Sequence, residues 1–190
     1  MTSTTLRAVT LLGATMTMGF AAGSFVLFAH TIMPGLRATD DRTFVGAFQQ
    51  IDKAVNNPLF FLTLMGALVL TGVAALLYRS DGGSALVPWL AVAFVLYLAV
   101  FVITIAVHVP LNDDIKAAGD PAKIQNLAGV RAAFHEDRWN AWNVGRAVLC
   151  TAAFGCLLWA LVLHGRIHPS SDARQPRAAA NVEAGAGLIR

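Results

Sequence analysis

This chain has little charge for its length. Asp, Glu, Lys and Arg make up 13% of its 190 residues, where soluble domains average about 25%. Hydrophobic residues make up 56%. Four stretches, Ala8 to Ala29, Ala54 to Tyr78, Ser84 to Val107 and Ala147 to Leu163, contain none of the four charged types. A bilayer core about 30 Å thick is crossed by roughly 20 apolar residues as a helix, the geometry that satisfies backbone polar groups without water. One such stretch could belong to the core of a large soluble protein. Four in a chain this short predict an integral membrane protein.

Cysteine is scarcer still, at two residues. Cys150 and Cys156 lie six apart on different faces of the last stretch, so they read as packing residues, neither a disulfide nor a metal pair. The chain has no nucleotide-binding glycine loop, helical HExxH, serine triad pattern or CxxC. No Asp or Glu stands in the middle of an apolar stretch, which argues against a proton-coupled exporter. The net charge of +3 comes largely from the C-terminal tail and makes no case for nucleic acid. Arg7 followed by an apolar run resembles a signal peptide, but the run continues through Phe25, Val26, Leu27 and Phe28, beyond a signal core of about 7 to 15 residues. It is read as a retained helix.

What is present is an all-α pattern of four transmembrane helices, about Leu6 to Met33, Pro58 to Tyr78, Leu86 to Val107 and Trp142 to Leu163. Together they predict an up-down four-helix bundle over residues 1–164. Pro34-Gly35 ends the first helix, and Asn56-Asn57-Pro58 opens the second with a cap and a first-turn proline. Ser80 to Ser84 makes a tight turn. Val109-Pro110 ends the third helix, because proline pushes the preceding residue out of helical geometry. The connection from Pro34 to Asn57 is partly helical, Asp41 to Lys53, with Phe44, Phe48 and Ile51 on one face. The longer connection from His108 to Ala141 is helical from Ala122 onward, and its Val130, Phe134 and Trp139 rest on the bundle or the membrane interface. Residues 165–190 read as a disordered basic tail rich in Ala, Pro, Ser and Arg.

An even number of spans puts both termini on one side and the two larger connections on the other. Lys and Arg count six on the terminal side and seven in those connections, a near balance under the positive-inside rule. Cytoplasmic termini in the plasma membrane of a bacterium are the expectation. The oligomeric state has no signature here.

The polar residues gather on the side of the larger connections. Gly19 and Gly23 form a small-xxx-small face, and His30, seven residues beyond Gly23, is expected to project from that same packed face. An interfacial histidine bonded to a loop is the plainer alternative. Tyr97, Phe101, Thr104 and His108 are spaced four, three and four on the third helix. Hydrogen bonds between helices suffice to explain Tyr97 and Thr104, whereas His108 stands at the membrane surface, just before Val109-Pro110-Leu111-Asn112. His135, Trp139, Trp142 and Arg146 follow the same rhythm into the fourth helix, with Asn143 beside them. Aromatic anchoring and arginine snorkelling explain Trp or Arg singly, but less well a face that also carries His and Asn. A buried Arg146 needs an acceptor or an anionic ligand. Convergence of His30, His108, Asn112, His135, Asn143 and Arg146 would make a site for a flat hydrophobic molecule. No cofactor is predicted; copper or iron on His30, His108 and His135 is the metal alternative, weakly supported by their scattered spacing.

From Gly13 to Leu163 the chain resembles a family of small membrane proteins that includes anthrone oxygenases of polyketide pathways. The resemblance rests on Gly19-x-x-x-Gly23 with Phe25, Met33-Pro34-Gly35-Leu36, the Phe44 to Ile51 segment, Asn57-Pro58, Val109-Pro110-Leu111-Asn112 and Trp139-x-x-Trp142-Asn143-x-x-Arg146. The family's usual residue before Val-Pro-Leu-Asn is asparagine, where this chain has His108. The resemblance implies a four-helix membrane fold and, for some members, oxidation of an anthrone to an anthraquinone by O2. On that basis His108 or His135 would be the base. Arg146, with Asn112 or Asn143, would stabilise the oxyanion, and Trp139 and Trp142 would stack on the rings, with His30 beside the substrate. The partners would be the lipid bilayer, a hydrophobic aromatic molecule and O2. A non-catalytic bundle or a small-molecule carrier is the competing reading.

Overall fold

A computed structural model describes residues 3–79 and 84–167. Four helices among these residues are long and apolar enough to cross a membrane, Thr4–Arg37, Pro58–Leu77, Val87–Ala117 and Leu127–Ile167. The first begins as α1 (Ser3–Leu27), passes through a π-helical turn at Phe28–Ile32 and ends as α2 (Met33–Arg37). Next come α3 (Asp41–Val55) and α4 (Pro58–Leu77). The third span is α5 (Val87–Ile103), a second π turn at Thr104–His108, and α6 (Val109–Ala117). After α7 (Leu127–Ala133), the long α8 (Glu136–Ile167) crosses last.

Helix α1 packs against α4 and α8, and α5 packs against α8 and α4, so chain neighbours are neighbours in space and the bundle runs up and down. Its seams are lined by small side chains, with Ala14, Ala21, Ala67, Ala74, Ala93, Ala153 and Ala160 all buried. In a bilayer, close packing of small residues does the work that water does for soluble bundles. Leu12, Phe20, Leu62 and Val95 point outward, as a lipid-facing surface requires. Gly19 is packed so closely that a Cβ there would meet the Phe154 ring at 3.0 Å, whereas Gly23 has open space around it. The expected two-glycine face is therefore one glycine deep.

Two expected helix ends are corrected. Neither Pro34-Gly35 nor Val109-Pro110 stops its helix; the helices run on to Arg37 and Ala117. A proline inside a helix lacks the N–H for its i−4 carbonyl and its ring collides with that carbonyl. Both helices meet this by widening the turn just before. Met33 N–H bonds the Phe28 carbonyl, and Val109 N–H bonds the Thr104 carbonyl, each five residues back. The fourth span starts earlier than Trp142, at Glu136, and a break separates it from α7. His135 sits in that break with φ 52°, a left-handed conformation uncommon for any residue but glycine. Residues 80–83 of the expected Ser80–Ser84 turn and most of the 165–190 tail lie outside the described residues, although Gly165–Ile167 continue α8.

A second core caps one end of the bundle. Met33, Phe44, Val45, Phe48, Leu111, Ile115, Phe134 and Trp139 are buried together there, each large side chain contributing about 1.5–3 kcal/mol by leaving water. The stripe expected on α3 is present, with Phe44 and Phe48 buried and Ile51 packed beside them. Asp40 caps α3, its carboxylate accepting the N–H groups of Arg42 and Thr43 at 3.0 and 3.1 Å. The Thr43 hydroxyl and backbone hold this carboxyl below its ordinary pKa. Asn57 caps α4, accepting Phe60 N–H at 3.0 Å, with Pro58 in the first turn as expected. Arg131 clasps the layer. It donates to the Thr39 carbonyl at 2.9 Å, pairs with Asp41 and Glu136 at 3.1 Å each, and lies over the Phe44 ring.

Candidate functional site

Between the bundle core and this cap lies a cavity of about 600 Å³, within the range typical of small-molecule pockets. Phe25 and Phe28 come from the first span, Phe48 and Asp52 from α3, and Phe60, Phe61 and Leu64 from α4. Thr104 and His108 come from the second π turn, Asn112 from α6, and Trp139 and Arg146 from α8. Aromatic rings and aliphatic side chains make most of the wall.

The second π turn places His108 here. π turns are frequent at functional sites because the extra residue re-aims the side chains around it. His108 is buried, and neither imidazole nitrogen makes a hydrogen bond within the protein, although the backbones of Ile103 and Trp139 lie near the ring. A buried polar group left without a partner costs about 1–3 kcal/mol, so such nitrogens beside a cavity are a binding feature.

Arg146 is the second such group. Its Nη2 donates to Asn143 Oδ1 at 2.8 Å and its Nη1 to Thr104 Oγ1 at 3.2 Å. Asn143 is anchored in turn, donating to the Phe25 carbonyl at 3.2 Å. The guanidinium lies 4.6 Å from the centre of the Phe25 ring and 5.7 Å from that of Trp139. Nε has no partner, and no carboxylate among the described residues pairs with this arginine. A desolvated cation without a counter-ion is unfavourable by several kcal/mol, and its neutral cradle leaves room for an anionic oxygen.

A third chain of contacts reaches the cavity from the cap. Trp139 Nε1 donates to Asn112 Oδ1 at 2.8 Å, and Asn112 Nδ2 donates to Asp52 Oδ1 at 2.6 Å. Lys116 Nζ lies 3.1 Å from Asp52 Oδ2 and 2.9 Å from Asp113 Oδ1. The indole thus held lies against the His108 ring, 4.9 Å between ring centres.

Of the residues expected from sequence, the cavity gathers His108, Asn112, Trp139 and Arg146, with Asn143 directly behind Arg146. It does not gather the others. His30 is exposed and bonded to the Thr31 hydroxyl at 2.6 Å, so it does not project from the packed face of α1. The first π turn shifts the register, so counting back to Gly23 misplaces it. His135 lies outside α8 and is exposed, in a polar depression with Arg37, Arg131 and Glu136, not on the face of Trp139 and Arg146. Trp142 is 44% exposed on the outside of α8. With two of the three histidines outside the cavity, the His30, His108 and His135 triad is not assembled. No group of three or more His, Cys, Asp or Glu among the described residues could hold a metal ion. Asp52 was missed, although its place four residues after Phe48 puts an acid in the apolar stripe of α3.

The anthrone oxygenase family model matches residues 59–156, more than half of the chain, and the match includes His108, Asn112, Trp139 and Arg146 of this cavity. No curated protein and no solved structure matches the chain.

Proposed function

The chain belongs to the anthrone oxygenase family, and we propose that it is a membrane-embedded oxygenase that uses O2 to oxidise an anthrone-like aromatic or another hydrophobic phenolic to a quinone. One observation carries the reading. The unpartnered nitrogens of His108 and the unpaired cation of Arg146 line one aromatic-walled cavity.

In this reading the flat ring system lies among Phe25, Phe28, Phe48 and Trp139, and its oxygen takes the Nε–H of Arg146. Neutral His108, with nitrogens that no protein group occupies, removes a proton from the acidic methylene as the general base. Charge moves from the carbon to the ring oxygen, where the fixed guanidinium stabilises it. The carbanion gives its electrons to O2, and the new C–O bond becomes a hydroperoxide on taking up a proton. Loss of water breaks the O–O bond and leaves the carbonyl. O2 supplies one oxygen to the product and one to the water, and the sequence of steps calls for no cofactor.

The test is oxygen uptake by the purified protein in bilayer discs with anthrone as the probe. Uptake with matching anthraquinone formation, well above spontaneous autoxidation, is the expected result. Uptake no faster than autoxidation removes the assignment. The largely apolar wall favours a second reading, a carrier of hydrophobic aromatics. Saturable binding of an anthraquinone without any oxygen uptake would support it.

A further inference from the structure

We infer that Asp52, on the cap helix α3, is a positioning residue of this site, acting through Asn112 to hold Trp139 against His108. The kinetic part of this inference rests on the oxygenase reading; the structural part does not. Asp52 is 8% exposed, and it lines both the apolar cavity and a polar groove outside it that includes Gln49, Lys53 and Lys116. Its environment is more than an ion pair needs, because Lys116 already has Asp113 at 2.9 Å.

The hydrogen-bond chemistry of the chain of contacts runs in one direction. An ionised carboxylate only accepts, so it takes the NH2 side of the Asn112 amide. That leaves Asn112 Oδ1 facing the indole, and an indole N–H only donates. Each group therefore sets the orientation of the next, from Asp52 to Asn112 at 2.6 Å and from Asn112 to Trp139 at 2.8 Å. The result is a Trp139 ring fixed 4.9 Å, centre to centre, from the ring of His108. This path ties the cap helix to the third and fourth spans, across 60 positions of sequence between Asp52 and Asn112.

Asp52→Asn keeps an acceptor for Asn112, whereas Asp52→Ala removes it. The two donors on the other carboxylate oxygen have alternatives in the asparagine variant. Lys116 keeps Asp113, and Asn56 Nδ2 keeps the Asp52 backbone carbonyl at 2.8 Å. A role in positioning thus separates the two variants, while a role that needs the negative charge makes them alike.

The experiment uses the full chain in bilayer discs with the exposed Trp89, Trp142 and Trp159 replaced by Phe, leaving Trp139 as the sole fluorophore of the four tryptophans. Asp52→Ala should shift Trp139 emission to the red and increase its mobility, and Asp52→Asn should return both toward the parent. With anthrone as the probe, Asp52→Ala should lower kcat about tenfold or more, as small misplacements do, with a smaller change in KM. Asp52→Asn should recover most of that loss. Unchanged emission in Asp52→Ala overturns the inference, as does an Asp52→Asn variant as slow as Asp52→Ala. If Asp52→Ala does not fold, Asn112→Ala cuts the same link and must give the same red shift; native emission there overturns the inference. If no form of the protein consumes oxygen, the oxygenase reading fails and the fluorescence alone decides the role of Asp52.

Discussion

The imidazole of His108 meets the indole of Trp139 edge to face, 4.9 Å between ring centres and 77° between planes. That packing helps to fix the imidazole's tilt, and neither nitrogen makes a well-formed hydrogen bond within the protein. The ring is held by shape and left free for chemistry.

His108→Ala should slow oxygen uptake with anthrone about 100-fold or more, the scale of a lost general base. His108→Leu should be as slow, yet at least as resistant to thermal unfolding as the parent, because it removes buried nitrogens whose lack of partners costs about 1–3 kcal/mol. Loss of stability in step with loss of activity would mark His108 as a structural residue instead.

Replacing Arg146 should weaken ligand binding more than folding. A charge-assisted hydrogen bond is worth about 1.5–3 kcal/mol, so Arg146→Gln should bind a hydroxyanthraquinone about 10- to 100-fold more weakly in a spectroscopic titration. Arg146→Lys should not restore the affinity. A lysine has no planar fork with which to hold Asn143 and Thr104 while offering a third donor to the cavity.

The second π turn should matter more for function than for helix content. Deleting Ala106 removes the extra residue of Thr104–His108, so the helix beyond keeps its phase relative to α5 while the side chains within the turn are re-aimed. Circular dichroism should stay helical while anthrone oxidation is lost, because Thr104 and His108, at the two ends of the turn, no longer keep the spacing that sets both beside Arg146. Retained activity would show that the widened turn only accommodates Pro110.

The two glycines expected to share a face should respond oppositely. Gly19→Leu forces a side chain into the ring of Phe154, which already lies 3.0 Å from the position of a Cβ. Overpacking of this kind typically costs about 1–3 kcal/mol, and it should lower the unfolding temperature in detergent. Gly23→Leu has open space and should be neutral or stabilising, since a helical glycine is less favourable than alanine by about 0.5–1 kcal/mol.

Much of the bundle was legible because its signals are local. Runs without charge mark the spans, Asn57-Pro58 marks the start of α4, and Phe44 and Phe48 mark the buried face of α3. The helix ends at Pro34 and Pro110 were misjudged for a physical reason. Proline's clash can be relieved by widening the preceding turn, and no residue pattern announces which solution a helix adopts. The site was legible in part. His108, Asn112, Trp139 and Arg146 converge, while His30 and His135 do not, since counting by fours assumes an unbroken helix and His30 stands in a π turn and His135 in a break. Trp142, within the unbroken α8, falls at the exposed edge of the face that buries Trp139 and Arg146.

The sequence by itself determined that four apolar segments would pack as helices and that the polar residues would lie toward one end, because hydrophobic length and helical period are properties of neighbouring residues. Only the tertiary structure decided which of those polar residues share a cavity. Two π turns and the His135 break reset the helical register, and the pairing of Asp52 with Asn112 depends on a cap helix folding back over the bundle. Side chains meet according to the direction in which packed backbones aim them, and that direction is set by contacts distant in sequence.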